Sequence, residues 1–355
     1  MIRVKVVLVQ IFLACTMAQG QDVLLSNIIE HITNYNPSLL SVSTHQYSVG
    51  LNYRQALNLT SAGGAVSSMR VSPNRISSFY AQYATDINPT DRITFEGRIL
   101  DDNPVSSLIS RTDITISFSY SKLVGDSRGN NQRLSIGTSL GYDLVRLTNA
   151  EFWFGSQYDI MNERVDLGIP SGEVAINQLR NRSGIDLSVG LSWQNNISNF
   201  GSYYVGLSAF HLNSYNQAVY QGSVLPIKRR YTAILGLRKK MNNKISWINS
   251  LLYNSQDVFR SIGYRTTIYY RLDPHDYSSV LLGLMPIVQD GINGVGGTSI
   301  NVFTGYRSNN YSLNLSYDLG LGSITQFTDS RGTLELGFNY FLNSTNSEEY
   351  LSGLY

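Results

Sequence analysis

Few residues of this sequence have the types and spacing that catalysis or metal binding requires. The four histidines, His31, His45, His211 and His275, are dispersed, and no pair has a ligand spacing such as His-x-x-x-His. Cys15 is the only cysteine, so the chain has neither a disulfide framework nor a thiolate metal site. We therefore expect no catalytic residue, no metal ligand and no cofactor.

Two short motifs resemble enzyme signatures without the context that those signatures need. Ser119-Tyr120-Ser121-Lys122 matches Ser-x-x-Lys, but both serines fall on the polar face of a predicted strand, and no other motif of that enzyme class is present. The glycine-rich stretch 291–297 does not lie between a strand and a helix, as a phosphate-binding loop would. His211 is the only tempting base for an outer-membrane phospholipase. The sequence thus predicts a protein that is not an enzyme.

The composition excludes several other classes of protein. The 355 residues are only 15% charged, against roughly 25% in an average soluble domain. Mean hydropathy is nevertheless −0.12, because serine, asparagine, glycine and tyrosine are abundant. A disordered chain would be charge-rich, and a helical membrane protein would contain apolar runs of about 20 residues. Basic residues number 27 and acidic residues 25, without the basic clustering of a nucleic-acid-binding protein.

The first 20 residues have the features of a secretory signal peptide. Arg3 and Lys5 precede an apolar stretch over 6–14, and small residues at Ala18 and Gly20 form a cleavage site before residue 21. Both basic residues of this segment would be removed, which leaves 25 basic and 25 acidic residues and a net charge of zero. The slight positive charge of the full sequence therefore belongs to the predicted signal peptide.

Alternation of apolar and polar residues is the main structural signal. In 331–341, for example, Leu334, Leu336, Phe338 and Tyr340 alternate with polar or small residues, which is the pattern of a strand with two unlike faces. A soluble sandwich and a membrane barrel both contain such strands. Soluble strands centre on five or six residues, whereas a tilted membrane strand needs about 9–11. Most segments here run 10–14 residues. The predicted strands are 45–60, 75–86, 91–101, 111–122, 131–147, 184–195, 202–212, 229–240, 243–255, 258–271, 276–286, 299–308, 310–320 and 331–341.

Connection lengths favour the membrane barrel. Turns after even-numbered strands are short, and connections after odd-numbered strands are mostly long, which is typical of outer-membrane barrels with short periplasmic turns. The even strand number requires the strand-like 152–160 to belong to a long loop. The fold class predicted is all-β, a transmembrane antiparallel up-and-down β-barrel of 14 strands over 45–341, with both termini in the periplasm and 342–355 as a periplasmic tail.

Segment 21–44 differs from the rest because its apolar residues recur at helical spacing and it ends at Asn36-Pro37. It is predicted to be a short amphipathic helix or turn, either in the lumen as a plug or beneath the barrel.

Aromatic and basic residues cluster near strand ends. Lys228-Arg229-Arg230 and Arg238-Lys239-Lys240 lie at opposite ends of one strand, as solvated rim charge or as contacts for anionic headgroups or an acidic partner. The aromatic residues expected in interfacial girdles include Tyr47, Tyr53, Tyr120, Tyr142, Trp193, Tyr203, Tyr204, Tyr231, Trp247, Tyr269, Tyr270, Tyr306, Tyr311 and Tyr317.

Several short passages, in order along nearly the whole mature chain, resemble the PorP/SprF family. They include Tyr35-Asn36-Pro37-Ser38, Leu51–Gln55, the Gly206 and Gly305 strands, and 334–340. The usual family residues after the Asn-Pro pair are replaced here by Ser38-Leu39-Leu40, and 14 residues follow Phe341. The family-motif positions, read as structural, are Asn36, Pro37, Tyr53, Arg54, Gly206, Gly305, Tyr306, Arg307, Tyr317 and Asp318.

The resemblance implies a role but no reaction. PorP/SprF proteins are outer-membrane components of the type IX secretion and gliding machinery of Bacteroidota. It implies that this chain lies in the outer membrane after cleavage near Gly20, and that it anchors or helps to export a cargo protein or surface adhesin. Its partners would be outer-membrane lipid, that cargo and subunits of the secretion machinery, with no nucleic acid. The alternative is a transporter or pore for a small or hydrophobic solute, since barrels of this size also do that work.

Overall fold

The fold consists of long antiparallel strands with a short segment of chain inside them. No helix among the described residues is long and apolar enough to cross a membrane. Residues 1–20 and 345–355, predicted as signal peptide and part of the tail, lie outside the described residues. A computed structural model describes residues 25–26, 31–42, 45–56, 74–103, 109–127, 130–147, 155–159, 161–162, 164–166, 168–170, 180–197, 201–219, 221–272, 278–290, 297–321 and 332–344.

Fourteen of the sixteen strands among the described residues form the barrel, and the period-two pattern located each of the fourteen. Short 3-10 turns cover Ile32–Asn34, Pro37–Val42 and Gly155–Gln157. The strands in chain order are β1 (His45–Ala56), β2 (Arg75–Asp86), β3 (Asp91–Asn103), β4 (Ile109–Ser127), β5 (Asn130–Leu147), β6 (Tyr158–Asp159), β7 (Arg164–Val165), β8 (Arg182–Ile197), β9 (Gly201–Phe210), β10 (Arg230–Lys240), β11 (Ile245–Gln256), β12 (Phe259–Arg271), β13 (Ser279–Asp290), β14 (Gly297–Arg307), β15 (Tyr311–Gly320) and β16 (Thr333–Ser344).

Each barrel strand pairs with its neighbours in the chain, and the last strand pairs with the first. Strands β1 and β16 are antiparallel, with His45 opposite Ser344 and Ala56 opposite Thr333. Because the sheet closes, no strand edge is left without hydrogen-bond partners inside the membrane. The predicted 14-stranded antiparallel barrel is therefore confirmed. The short pair β6 and β7 forms a separate sheet within the connection between β5 and β8.

The two ends of the barrel differ in the length of their connections. At the end where β1 begins and β16 ends, the connections are 87–90, 128–129, 198–200, 241–244, 272–278 and 308–310. We call this the short-turn end. The opposite end, which carries the connections 57–74, 148–181 and 211–229, is the long-loop end.

Side chains alternate between the outer surface and the lumen along the strands. In β5, Leu134, Ile136 and Leu140 are exposed on the outside, whereas Ser135 and Ser139 are buried in the lumen. This arrangement places apolar side chains toward lipid and polar side chains inside. It explains why mean hydropathy is close to zero although the protein is a membrane barrel.

Several expectations need correction. Tyr204 and Tyr269 do not lie in an aromatic girdle: they are 1% and 7% exposed and point into the lumen, because their neighbours Tyr203 and Tyr270 occupy the alternate positions. Strand β16 continues to Ser344, so 342–344 belong to the barrel and not to the tail. Strands β4 and β13 also run beyond their predicted ends.

Candidate functional site

The lumen holds a segment of the chain itself. We call residues 31–42 the lumen segment, and every residue in it is buried. At its far side it leads into β1 at His45, and its second 3-10 turn contacts β3, β4, β5, β8 and β9. Although the apolar spacing in 21–44 allowed an amphipathic helix or a turn, the described residues form 3-10 turns only.

The Asn36-Pro37 pair lies in a seat made by three lumen-facing glycines. The Asn36 side-chain amide donates hydrogen bonds to the main-chain carbonyls of Leu191 and Leu207, at 3.1 and 3.2 Å. A Cβ atom on Gly190 would overlap the Asn36 side-chain oxygen, and one on Gly206 would lie 2.6 Å from its nitrogen.

The third glycine contacts the proline. A Cβ on Gly137 would overlap the main chain of Pro37, so the three strands β5, β8 and β9 approach the segment at positions that only glycine allows. Of the predicted family positions, Asn36 thus lies against Gly206, whereas Pro37 lies against Gly137 and Gly190.

A row of serines completes this side of the lumen. Ser38 Oγ donates to Ser192 Oγ at 2.8 Å, and Ser41 Oγ donates to Ser135 Oγ at 3.0 Å. Ser119 Oγ donates to the carbonyl of Ser38 at 3.0 Å. Ser119, the first residue of the Ser-x-x-Lys match, therefore contacts the lumen segment, and its hydroxyl is fully buried there.

Charged wall residues hold the N-terminal part of the lumen segment, at Thr33 and Asn34. Thr33 Oγ1 donates to Glu96 Oε1 at 2.7 Å, and Arg98 donates to the side chains of Thr33 and Asn34. Arg230 donates to the main-chain carbonyl of Asn34 at 2.8 Å. Both arginines are more than nine-tenths buried, so these contacts form away from bulk water.

A second anchor lies at the long-loop end. The Ser26 main-chain amide donates to Glu335 Oε2 at 3.0 Å, and its hydroxyl donates to Asp318 Oδ2 at 2.5 Å. Arg54 pairs with Asp318 at 3.0 Å, and Asn52 donates to Glu335 at 3.0 Å. Asp318 and Glu335 lie within three residues of the long-loop ends of β15 and β16. Ser26 is therefore at the end opposite to the one expected for the N-terminal part of the chain.

The lumen wall on the opposite side carries an apolar cluster among polar side chains, which the sequence reasoning did not predict. Ile32, Tyr35 and Leu39 of the lumen segment pack in one buried cluster with side chains of β9 to β14. The sequence signal for this wall is β13, which is apolar at most of its positions and not only at alternate ones. The wall side chains of the cluster are Tyr204, Ile234, Ile248, Leu252, Tyr269, Leu281, Met285 and Phe303.

The connection 211–229 covers part of the lumen at the long-loop end. Tyr215 donates a hydrogen bond to Asp143, which also accepts from Arg111 Nε at 2.8 Å. Burial, the largest effect, raises the pKa of the Tyr215 phenol far above its ordinary value. Gly184 leaves space for the Tyr215 ring, since a Cβ there would overlap it.

His211, the candidate phospholipase base, is 4% exposed and lies 3.0 Å from Asp186. In the described part of the chain, no group of three or more His, Cys, Asp or Glu side chains has an arrangement that could hold a metal ion. The glycine-rich 291–296 lies outside the described residues, and Gly297 begins β14.

The remaining predicted family positions are distributed over the β1 and β13–β16 side of the barrel. Tyr306 packs against Tyr311 with ring centroids 5.8 Å apart, and Gly305 faces Asn314 across the β14–β15 pair. Arg307 lies 3.1 Å from His45 Nε2 at the short-turn end. Tyr53 is exposed on the outer surface, and Tyr317 lies beside Gly332.

The fold and the filled lumen define an outer-membrane β-barrel whose interior is occupied by its own N-terminal segment. A family model described as "Type IX secretion system membrane protein PorP/SprF" matches residues 18–340. The chain therefore belongs to the PorP/SprF family. The resemblance drawn from the sequence is confirmed.

Solved structures share the fold at low sequence identity. The CymD monoaromatic hydrocarbon channel is 10% identical with a TM-score of 0.52, over 92% of this chain and 97% of that one. The deltaS2S3 mutant of the TodX monoaromatic hydrocarbon channel is also 10% identical, with a TM-score of 0.53 over 90% and 94%. The toluene transporter TbuX of Ralstonia pickettii gives 0.48 at 10% identity over 88% and 92%. No curated protein matches the sequence.

Proposed function

We propose that this barrel is a non-enzymatic anchor in type IX protein secretion and gliding, which retains or helps to export a secreted cargo protein or surface adhesin. Membership of the PorP/SprF family supports a place in the secretion machinery. The observation that carries the anchoring role is the filled lumen: twelve consecutive residues, 31–42, are buried inside the barrel and bonded to its wall.

A filled lumen favours binding at the ends of the barrel over passage through it. The seat of Asn36, the serine contacts and the anchors at Arg230 and Ser26 would all have to break before a solute could pass. The long loops at one end and the short-turn rim at the other are then the surfaces for partners, as is common where loops are carried by a rigid scaffold.

Export and processing are part of the same proposal. A signal peptide cleaved near Gly20 would deliver the chain to the outer membrane of a Bacteroidota cell, with the short-turn end in the periplasm. Mass spectrometry of the mature protein should give Gln21 as its first residue. Outer-membrane lipid surrounds the barrel in either proposed role.

The anchoring role is tested by affinity purification of the tagged protein from native outer membranes. Anchoring predicts that a secreted protein and subunits of the secretion machinery are recovered and identified by mass spectrometry. A matched purification of an unrelated outer-membrane barrel is the control. Recovery of neither class above that control would remove the basis of the proposal.

A second candidate is a transporter for a small hydrophobic solute. The apolar wall with Ile234, Leu252 and Phe303 favours it, because such a surface would accept an apolar ligand if the lumen segment moved. The hydrocarbon channels named above share the fold, although identity near 10% carries no argument about substrate. Uptake of a hydrophobic solute that depends on Leu252 would favour this candidate over the anchor.

A further inference from the structure

Basic side chains accumulate on one part of the short-turn rim. Lys239 and Lys240 end β10, Lys244 precedes β11, and Arg271 ends β12. All three lysines are exposed, and among the described residues none of them has an ion-pair partner. Arg238 lies beside them on the lumen face of β10. The positive charges of Arg307 and Arg271 both repel the Arg238 guanidinium.

The sequence supplies only partial compensation for this charge. From Arg238 to the start of β15 the short-turn end carries six basic residues and two acidic ones. The acidic residues are Asp273 and Asp276, and the basic residues are Arg238, Lys239, Lys240, Lys244, Arg271 and Arg307. The long-loop end of these strands carries four basic residues, Lys228, Arg229, Arg230 and Arg260, and two acidic ones, Asp257 and Asp290. Arg260 there lies opposite Asp290 in the β12–β13 pair. The excess of positive charge is therefore larger at the short-turn end.

The turn that presents the lysines is held in a fixed conformation. The Asn242 side-chain oxygen accepts hydrogen bonds from the main-chain amides of Lys244 and Ile245, at 2.8 and 2.7 Å. The Arg271 amide donates to the Lys244 carbonyl at 2.7 Å, which ties the turn to β12. Because the backbone of the turn is already fixed, binding a partner costs only the conformational freedom of the lysine side chains.

We propose that this rim, made of Lys239, Lys240, Lys244 and Arg271, is a docking surface for an acidic segment of a protein on the periplasmic side of the membrane. Anionic lipid is the other source of negative charge, but headgroups surround the outside of the barrel. Arg271 is half-buried on the lumen face of β12, so the positive surface continues over the rim into the mouth, where lipid headgroups do not reach. An extended acidic peptide crossing the rim contacts both the lysines and Arg271.

The test is binding of a labelled acidic peptide, rich in Glu and Asp, to the purified full-length protein in a zwitterionic detergent. Fluorescence anisotropy in about 50 mM and about 300 mM salt measures affinity, and salt should weaken it because the contacts are electrostatic. The variant Lys239→Gln/Lys240→Gln/Lys244→Gln should bind at least about tenfold more weakly. The control Lys228→Gln/Arg229→Gln/Arg260→Gln removes three exposed charges from the other end of the same strands and should bind as the wild type does.

Three results would overturn the proposal. The first is that the wild type binds the acidic peptide no better than a neutral peptide of the same length. The second is that the two triple variants lose affinity equally. The third is that vesicles containing phosphatidylglycerol bind the wild type in preference to the lysine variant while the peptide binds neither, which would assign the rim to lipid. Heat-modifiable gel mobility checks that each variant is folded, and none of these results depends on whether a secreted cargo is anchored.

Discussion

Arg54 and Asp318 form a salt bridge at 3.0 Å that joins β1 to β15 across β16, directly beside the point where Ser26 is held. One side of this contact belongs to the first barrel strand and the other to the next-to-last, so the pair spans the seam at which the barrel closes. The same carboxylate accepts the Ser26 hydroxyl. Closure of the barrel and retention of the N-terminal part of the chain thus share one group.

Breaking this pair should show coupling in a double-mutant cycle. Arg54→Met and Asp318→Asn remove the two partners, which are largely buried, and we expect a coupling energy of about 0.5–3 kcal/mol in urea unfolding of the detergent-solubilised protein. Arg54→Met combined with Lys239→Gln, at the opposite end of the barrel, is the control. The effects of these two substitutions should add within about 0.5 kcal/mol. Additivity of Arg54→Met with Asp318→Asn would mean that the salt bridge contributes nothing.

Adding a methyl group to the glycine seat should destabilise the protein. In Gly190→Ala the new Cβ would overlap the Asn36 side chain, and overpacking of this kind costs about 1–3 kcal/mol. Gly97→Ala is the matched control, because a Cβ at this strand position meets no atom within 4 Å. Urea unfolding followed by tryptophan fluorescence measures both. If the two alanine variants unfold alike, the seat is not as tightly filled as described.

The Asn36 side chain should be sensitive to loss of its donor group. Asn36→Asp keeps the shape and the acceptor for Ser38 but cannot donate to the Leu191 and Leu207 carbonyls, and it places a carboxyl group at a position with no exposed surface. We expect the free energy of unfolding to fall by about 1–3 kcal/mol, and at least as far as in Asn36→Ala. Thermal unfolding monitored by gel mobility ranks the stabilities of the wild type, Asn36→Ala and Asn36→Asp. An Asn36→Asp protein as stable as the wild type would contradict the assigned hydrogen bonds.

The barrel could be predicted from the sequence because its cause is local. A period of two is visible in each strand by itself, as in Leu134, Ile136 and Leu140, and closure follows because lipid offers no partners to a free edge. The family motif pointed to Asn36, Pro37, Arg54, Gly206 and Asp318, yet it gave no reason why they matter. They matter because of contacts between residues about 100 to 260 positions apart in the chain.

The parts that could not be predicted depend on the occupied lumen. A barrel lumen usually faces water and is polar, so the sequence offered no reason to place Ile234, Leu252 and Phe303 in the lumen. They are apolar because they pack against Ile32, Tyr35 and Leu39, and the same burial draws Tyr204 and Tyr269 away from the girdle. The helical spacing in 21–44 did not produce an α-helix in 31–42 because wall contacts fix this segment on every side.

The position of the lumen segment can be fixed chemically. Ser38 Oγ and Ser192 Oγ lie 2.8 Å apart, so Ser38→Cys/Ser192→Cys should form a disulfide after mild oxidation. The only native cysteine is Cys15, within the predicted signal peptide, so no other thiol of the mature chain competes. Ser38→Cys/Ser188→Cys is the control: Ser188 is on the same face of β8 but about 13 Å further along, out of reach of a disulfide. Equal cross-linking of both pairs would contradict the seat.

Single-channel conductance of the oxidised Ser38→Cys/Ser192→Cys protein in a planar bilayer shows whether residues 31–42 close the lumen, because the cross-link holds the lumen segment where the wild type has it. We expect this protein and the wild type to show no steady conductance, since residues 31–42 fill the lumen. Steady conductance with the disulfide closed, abolished by enlarging a lumen side chain, would contradict this expectation and would favour a pore.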